Sequence, residues 1–207
     1  MLEYVLPMDI EKRSFEIITE ELTQQGLSLD EELAPVIKRV IHTTADFEYA
    51  DTLCYSQDAV DIAKELIRNG ADIVTDTNMA YTGINKSTLA KFGGQAHCFM
   101  ADEDVATEAK KRQVTRATVS MEKAMNIDKP VIFAIGNAPT ALISLHELMG
   151  KTDWRPAFVI GVPVGFVNVE AAKELIMQTD VPYIVNRGRK GGSNVAAAIC
   201  NALLYQI

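Results

Sequence analysis

Val131-Ile132-Phe133-Ala134-Ile135, followed at once by Gly136-Asn137-Ala138-Pro139-Thr140, is the stretch that decides the fold. Five apolar residues in a row, β-branched and aromatic types among them, suit a strand covered on both faces. Gly136 and Asn137 then break the run, and a helical stretch follows from Thr140 to Met149. The same alternation repeats outward in both directions. Asp72 to Thr75, Ala96 to Met100, Ala157 to Val162 and Tyr183 to Val185 read as strands. Asp58 to Asn69, Asp102 to Met125, Val169 to Met177 and Ser193 to Tyr205 read as helices. Strands alternating with helices predict an α/β fold of three layers: a mostly parallel sheet of about five strands with helices on both faces. Asp9 to Gln24 and Glu31 to Ile41 read as two helices with no strand between them. They predict an N-terminal helical arm within residues 1–45. No repeat and no Gly-, Ser- or Pro-rich linker divides the chain, so residues 1–207 are expected to form a single domain.

Composition narrows the function. The net charge of −8 argues against nucleic acid, whose binding needs a basic footprint. Any anionic ligand must then be met by locally concentrated Arg and Lys. Cys54, Cys98 and Cys200 are odd in number and far apart, which predicts reduced, mostly buried thiols and neither a disulfide framework nor a zinc ribbon. Met1 to Pro7 lacks a basic start followed by an apolar stretch, and no run approaches the roughly eighteen apolar residues of a membrane span. The cytoplasm is the expected location, with no membrane partner.

In open parallel sheets, ligands bind outside the carboxyl ends of the strands. Nearly all the segments following the predicted strands here are polar or glycine-rich. The strongest is Asn186-Arg187-Gly188-Arg189-Lys190-Gly191-Gly192-Ser193, directly before an Ala-rich helix. Three cations beside glycines and a helix N-terminus suit a carboxylate or phosphate, although a solvated basic turn has the same composition. The anion-site reading is preferred. Neither a Walker loop nor Gly-x-Gly-x-x-Gly can be read. Gly161-Val162-Pro163-Val164-Gly165 fits a tight strand-to-helix turn as well as a ligand contact. His42 closes a predicted helix, and taken alone a capping or core role suits it better than acid–base work. His97 in its apolar strand and His146 in mid-helix read as structural. No His or carboxylate cluster suggests a metal site. Arg116 and Arg13 read equally well as surface arginines.

Taken together the segments resemble the precorrin-8X methylmutase family, which includes the cobalt-precorrin-8 enzymes. The matching pieces are Ile10-Glu11 with Ser14-Phe15, His42-Thr43-Thr44-Ala45-Asp46, and Asp76-Thr77-Asn78-Met79 with Gly83-Ile84. Thr115-Arg116, Ala134 to Leu142, Gly161 to Val167 and Arg187 to Ser193 continue in the family's order. The resemblance implies an isomerase that moves a methyl group from C-11 to C-12 of a corrin precursor, formally a sigmatropic shift that needs no cofactor. It makes His42 the proposed proton donor, where the residue taken alone favours a structural role. Arg116, Arg187, Arg189 and Lys190 would clamp the substrate's carboxylates, with bidentate geometry open only to the arginines. Thr77, Gly136 and Asn137 would line the ring edge, and Arg13 and Ser14 join the substrate-binding set. Ala117 departs from the serine of many members. The family also implies a homodimer, with precorrin-8X or cobalt-precorrin-8 as the partner ligand.

Two other readings remain open at this level. A non-catalytic binder of a tetrapyrrole or other polyanion would keep the cationic loop without needing His42. An α/β enzyme for a small phosphorylated or carboxylated metabolite would have no use for Arg116.

Overall fold

The structure is a computed structural model that describes residues 4–207; the part of the signal-peptide reading that falls on Met1 to Glu3 lies outside the described residues. One sheet of six strands organises it: β1 (Leu53–Tyr55), β2 (Asp72–Thr75), β3 (Ala96–His97), β4 (Val131–Ile135), β5 (Phe158–Gly161) and β6 (Tyr183–Asn186), in the spatial order β1-β6-β5-β4-β2-β3. Every pairing is parallel except the edge pair, where Leu53 of β1 lies antiparallel to Asn186 of β6. All residues of β2, β4 and β5 are buried, because helices cover both faces.

The helices are α1 (Ile10–Gln24), α2 (Ala34–Thr44), α3 (Tyr49–Thr52), α4 (Ala59–Arg68), α5 (Asn78–Gly83), α6 (Lys86–Lys91), α7 (Glu103–Arg112), α8 (Arg116–Ala124), α9 (Pro139–Lys151), α10 (Val169–Met177) and α11 (Ser193–Leu204). On one face α11 packs against β4 and β5 and is flanked by α2, α4 and α5. It is apolar almost all round, as a helix enclosed on several sides must be. The expected N-terminal arm is there: α2 packs on α11, and α1 packs on α2 through Ile18 and Leu22. On the other face α8, α9 and α10 bury Ala117, Leu142, Leu145 and Ile176 with Phe133, Ile135 and Val159 of the sheet. Trp154 meets Phe133 edge-on at 5.7 Å between ring centroids.

Several details differ from the sequence expectation, the short helices α3, α5 and α6 among them. A sixth strand, β1, adds an antiparallel edge. The expected strand from Ala96 to Met100 keeps its ladder only at Ala96 and His97, which pair with Ile73 and Val74. The expected helix from Asp102 to Met125 is two helices. Gln113 turns left-handed at φ 56°, and Thr115 restarts the chain by accepting the Thr118 amide proton on its hydroxyl at 3.1 Å.

Candidate active site

The loops after β2, β4 and β6 meet at the carboxyl edge of the sheet, and Asp76 is the knot. Its fully buried carboxylate accepts the amide protons of Gly136 at 2.9 Å, Asn137 at 2.8 Å and Ala138 at 2.5 Å. Burial pushes the Asp76 carboxyl above the ordinary carboxylate value, while the three amides pull toward the ionised form. Gly136 is required by contact: a Cβ there would stand 2.6 Å from Ser193 Cα. Thr77 caps α5 and shares a 2.8 Å hydroxyl bond with Ser193 at the start of α11. Thr77, Gly136 and Asn137 are thus brought together, with the Asn137 side chain exposed.

The cationic loop is shaped from below. Gly191 sits at φ 158° with the Val162 carbonyl oxygen in the way of any added Cβ, so a larger residue would be driven into the end of β5's loop. All three cations have carboxylate partners. Arg187 Nε donates to Glu174 at 3.0 Å, Arg189 Nε to Glu170 at 2.8 Å, and Lys190 Nζ to Asp46 at 2.5 Å and Glu48 at 2.7 Å. Pairing through Nε leaves terminal guanidinium N–H groups of Arg189 and Arg187 for a second anion. The Asp46 and Glu48 hydrogen bonds push the Lys190 amine well above its usual range.

The Lys190 pairs tie the loop to Asp46 and Glu48, just beyond α2. His42 is exposed in the last turn of α2, which Ala45 closes in the left-handed conformation at φ 53°. Its ring tilts against Phe15 of α1 with centroids 5.4 Å apart. Arg39 lies over the same Phe15 ring at 4.8 Å and pairs with Glu11 at 2.8 Å. Grooves of about 660 and 490 Å³ border Phe15 on the arm side of the molecule.

Arg116 opens α8 at the same sheet edge, because Thr115 beside it contacts Thr140 at the start of α9 at 3.4 Å. Ala117 points into the core, 2% exposed, so the family's serine would be buried there. Arg13 pairs with Glu16 at 3.4 Å and Glu20 at 3.6 Å along α1. The Ser14 hydroxyl donates to the Ile10 carbonyl and so is engaged within its own helix. His97 Nε2 donates to the Asp72 carboxylate at 2.8 Å and its ring stacks on Phe99. The thiols are free, with Cys200 buried and Cys54 and Cys98 half-buried.

Sequence reasoning gave no role of their own to Asp76, Glu48, Glu170, Glu174 or Lys173. Nor did it give one to Phe166, which stands 83% exposed beside Val164 and Val167, with the Arg189 guanidinium 5.5 Å from its ring centroid. Its signal was there to read: a large aromatic in a strand-end loop, next to Val167, with no helical face to bury it. An apolar surface beside cations suits a ligand that is apolar within and anionic at its rim.

A family model for precorrin-8X methylmutase matches residues 9–206. A cobalt-precorrin-8 methylmutase from Priestia megaterium is 44% identical, over 96% of this chain and 88% of that protein. One from Salmonella typhimurium is 42% identical, over 97% and 96%. A precorrin-8X methylmutase from Pseudomonas aeruginosa is 34% identical, over 98% of each. The solved precorrin-8X methyl mutase of Thermus thermophilus superposes with a TM-score of 0.85 at 38% identity, covering 95% of this chain and 96% of that one.

Proposed function

The chain belongs to the precorrin-8X methylmutase family, an isomerase family of cobalamin biosynthesis, and from that premise we propose that it moves a methyl group from C-11 to C-12 of cobalt-precorrin-8 to give cobyrinate. The cobalt-containing substrate is favoured over precorrin-8X by likeness: the relatives named for it reach 44% and 42% identity, against 34% for one named for the metal-free form.

One observation supports the assignment of roles above the others. Lys190, bonded to Asp46 and Glu48, holds the cationic loop against the segment that follows His42 and the end of α2. A general acid and an anion clamp therefore share one edge of the sheet. In this reading Arg187, Arg189 and Arg116 take the acetate and propionate carboxylates, while Thr77, Gly136 and Asn137 border the ring. Phe166 and Val167 offer the apolar face. Lys190, Arg13 and Ser14 stand one step back, since their polar groups already hold the protein together. His42 gives a proton to the macrocycle near the migrating centre, which polarises the conjugated system and eases the shift, and takes a proton back once the methyl group has moved, so that the net change is an isomerisation. Its contact with Phe15 fixes the ring plane. The rearrangement is intramolecular and consumes no co-reactant, so no cofactor enters the scheme.

We also read the chain as one catalytic unit that works as a cytoplasmic homodimer. Tyr4, Met8 and Ile10 stand exposed on the arm, apolar surface that a second copy would cover. No helix among the described residues is long and apolar enough to cross a membrane. The deciding experiment is to mix purified protein with cobalt-precorrin-8, or with precorrin-8X, and follow the visible spectrum. Formation of the corrin chromophore, faster from the cobalt form, is expected. Unchanged spectra with both would overturn the proposal.

A further inference from the structure

Helix α10 carries a lysine where its pattern calls for an apolar residue. Lys173 is 0% exposed, in line with Val169, Ala172 and Ile176. Burying an ammonium is unfavourable, and an apolar side chain of the same size is often as stable or more so. Stability alone therefore does not explain this residue. Its Nζ donates to Gly188 O at 2.7 Å and to Lys190 O at 2.8 Å. Asn186, also 0% exposed, donates from Nδ2 to Arg187 O at 3.1 Å and Lys190 O at 3.0 Å. Its Oδ1 accepts from Thr52 at 2.8 Å, which anchors the amide to the neighbouring edge segment.

The result is a loop whose carbonyl oxygens at 187, 188 and 190 all turn inward to buried donors. A carbonyl left facing outward would set a negative dipole end beside the side chains of Arg187 and Arg189, where it would repel a carboxylate. Held inward, the same peptides leave those cations as the surface an anion meets.

We propose that Lys173 is a positioning residue for substrate binding, which fixes the 187–190 loop with its carbonyls withdrawn and its cations presented to the macrocycle's carboxylates. This rests on the reading of that loop as the substrate clamp. Burial draws the Lys173 amine down to about 8, with Glu170 opposing the shift; charged or neutral, the nitrogen keeps an N–H donor for each of the two carbonyls.

Lys173→Met keeps the apolar stem and removes the donors. In the ligand-free variant, amide hydrogen exchange should quicken about tenfold or more across 187–192, while β2, β4 and β5 keep their protection. KM for cobalt-precorrin-8 should rise about tenfold with kcat changed much less, the pattern of lost binding rather than lost chemistry. Arg189→Ala should weaken binding less in the Lys173→Met background than in the wild type, because a loosened loop presents that arginine poorly. Lys173→Gln, which retains an amide donor, should recover part of the affinity. Unchanged exchange and KM in folded Lys173→Met would overturn the proposal, as would an Arg189→Ala effect equal in both backgrounds. Loss of folding in both the Met and Gln variants would overturn it too, since Lys173 would then serve the fold itself. Failure of the wild type to bind or convert the corrinoid counts against the clamp reading, whereas the exchange comparison judges the locking of the loop separately.

Discussion

Lys190 Nζ lies 2.5 Å from Asp46 Oδ2 across 144 positions of chain, and the contact joins the cationic loop to the turn that follows His42. The Lys190 hydrogen bond is the main reason the Asp46 carboxyl stays below its usual range. A solvent-exposed pair of this kind adds little to stability. Its consequence is positional: it sets where the end of α2, which carries His42, stands relative to the cationic loop.

His42→Ala and His42→Asn should each lower turnover by about 10²–10⁴-fold, the usual contribution of a positioned general acid. Asn retains a hydrogen-bond donor but cannot give up a proton, so both variants should be similarly slow. Binding should persist, because the clamp lies on other elements. Single-turnover spectroscopy at matched saturation reads the chemical step directly. Near wild-type corrin formation in either variant would leave His42 a structural residue tilted against Phe15.

Arg187→Ala or Arg189→Ala should weaken binding of the corrin product by about ten- to a hundredfold, the range for hydrogen bonds to charged groups. Wild-type affinity should fall as salt is added, and less steeply in either variant. Titration by visible absorption at two ionic strengths is the measurement. Equal affinity in all three proteins would make the segment a solvated basic turn.

Asp76→Ala should destabilise the protein by about 3–5 kcal/mol, because it leaves the buried amide of Gly136 and the half-buried amides of Asn137 and Ala138 without their acceptor. Asp76→Asn keeps one carbonyl oxygen and should be milder. Denaturant unfolding tests both. A loss below about 1 kcal/mol for the alanine variant would mean the β4–α9 turn holds itself.

The layered fold could be read from runs such as Val131–Ile135 because strands buried on both faces need no partner information to be recognised. β1 could not. Leu53-Cys54-Tyr55 is too short for a pattern, and its extended state is imposed by β6, with Arg187 donating its amide to Thr52 O at 2.8 Å. The break between α7 and α8 had local marks, the Lys110-Lys111-Arg112 run at a helix end and the Thr115 cap, outweighed by continuous polarity with no Gly or Pro. Cys98-Phe99-Met100 look like strand residues, but the ladder to β2 stops at the Val74–His97 pair. At the site, glycines and cations were visible as a string, whereas their partners are scattered: Glu170, Lys173 and Glu174 look like the polar side of an ordinary helix. Only the packing of α10 under the loop separates the buried Lys173 from its exposed neighbours.

Asp72 gives a test in acid. Desolvation raises its carboxyl, but the His97 hydrogen bond, the Gln95 amide and Lys129 together bring it below the ordinary value. A depressed carboxyl contributes stability that is present above the unfolded value of about 3.9 and lost as pH falls through the folded value. Asp72→Asn should therefore be less stable than wild type at pH 7, and the difference should shrink as pH is lowered below about 4. Unfolding curves for both proteins at pH 7 and in acid measure it. A gap that stays constant with pH would show that the charge of Asp72 is immaterial to the β2–β3 edge.

The antiparallel edge formed by β1 and β6 sets a schedule for synthesis. Leu53 leaves the ribosome long before its ladder partner Asn186. The same delay applies to α2, which waits for α11, and to Asp46, which waits for Lys190. Such long-range closures are slow because the loop entropy is spent before any contact repays it. A nascent chain can assemble the β2–β4–β5 centre first, but it holds neither the 187–190 loop nor its junction with Asp46 and Glu48 until the stretch from β6 to α11 emerges. The cationic loop and its junction with the end of α2 therefore form together, with that stretch.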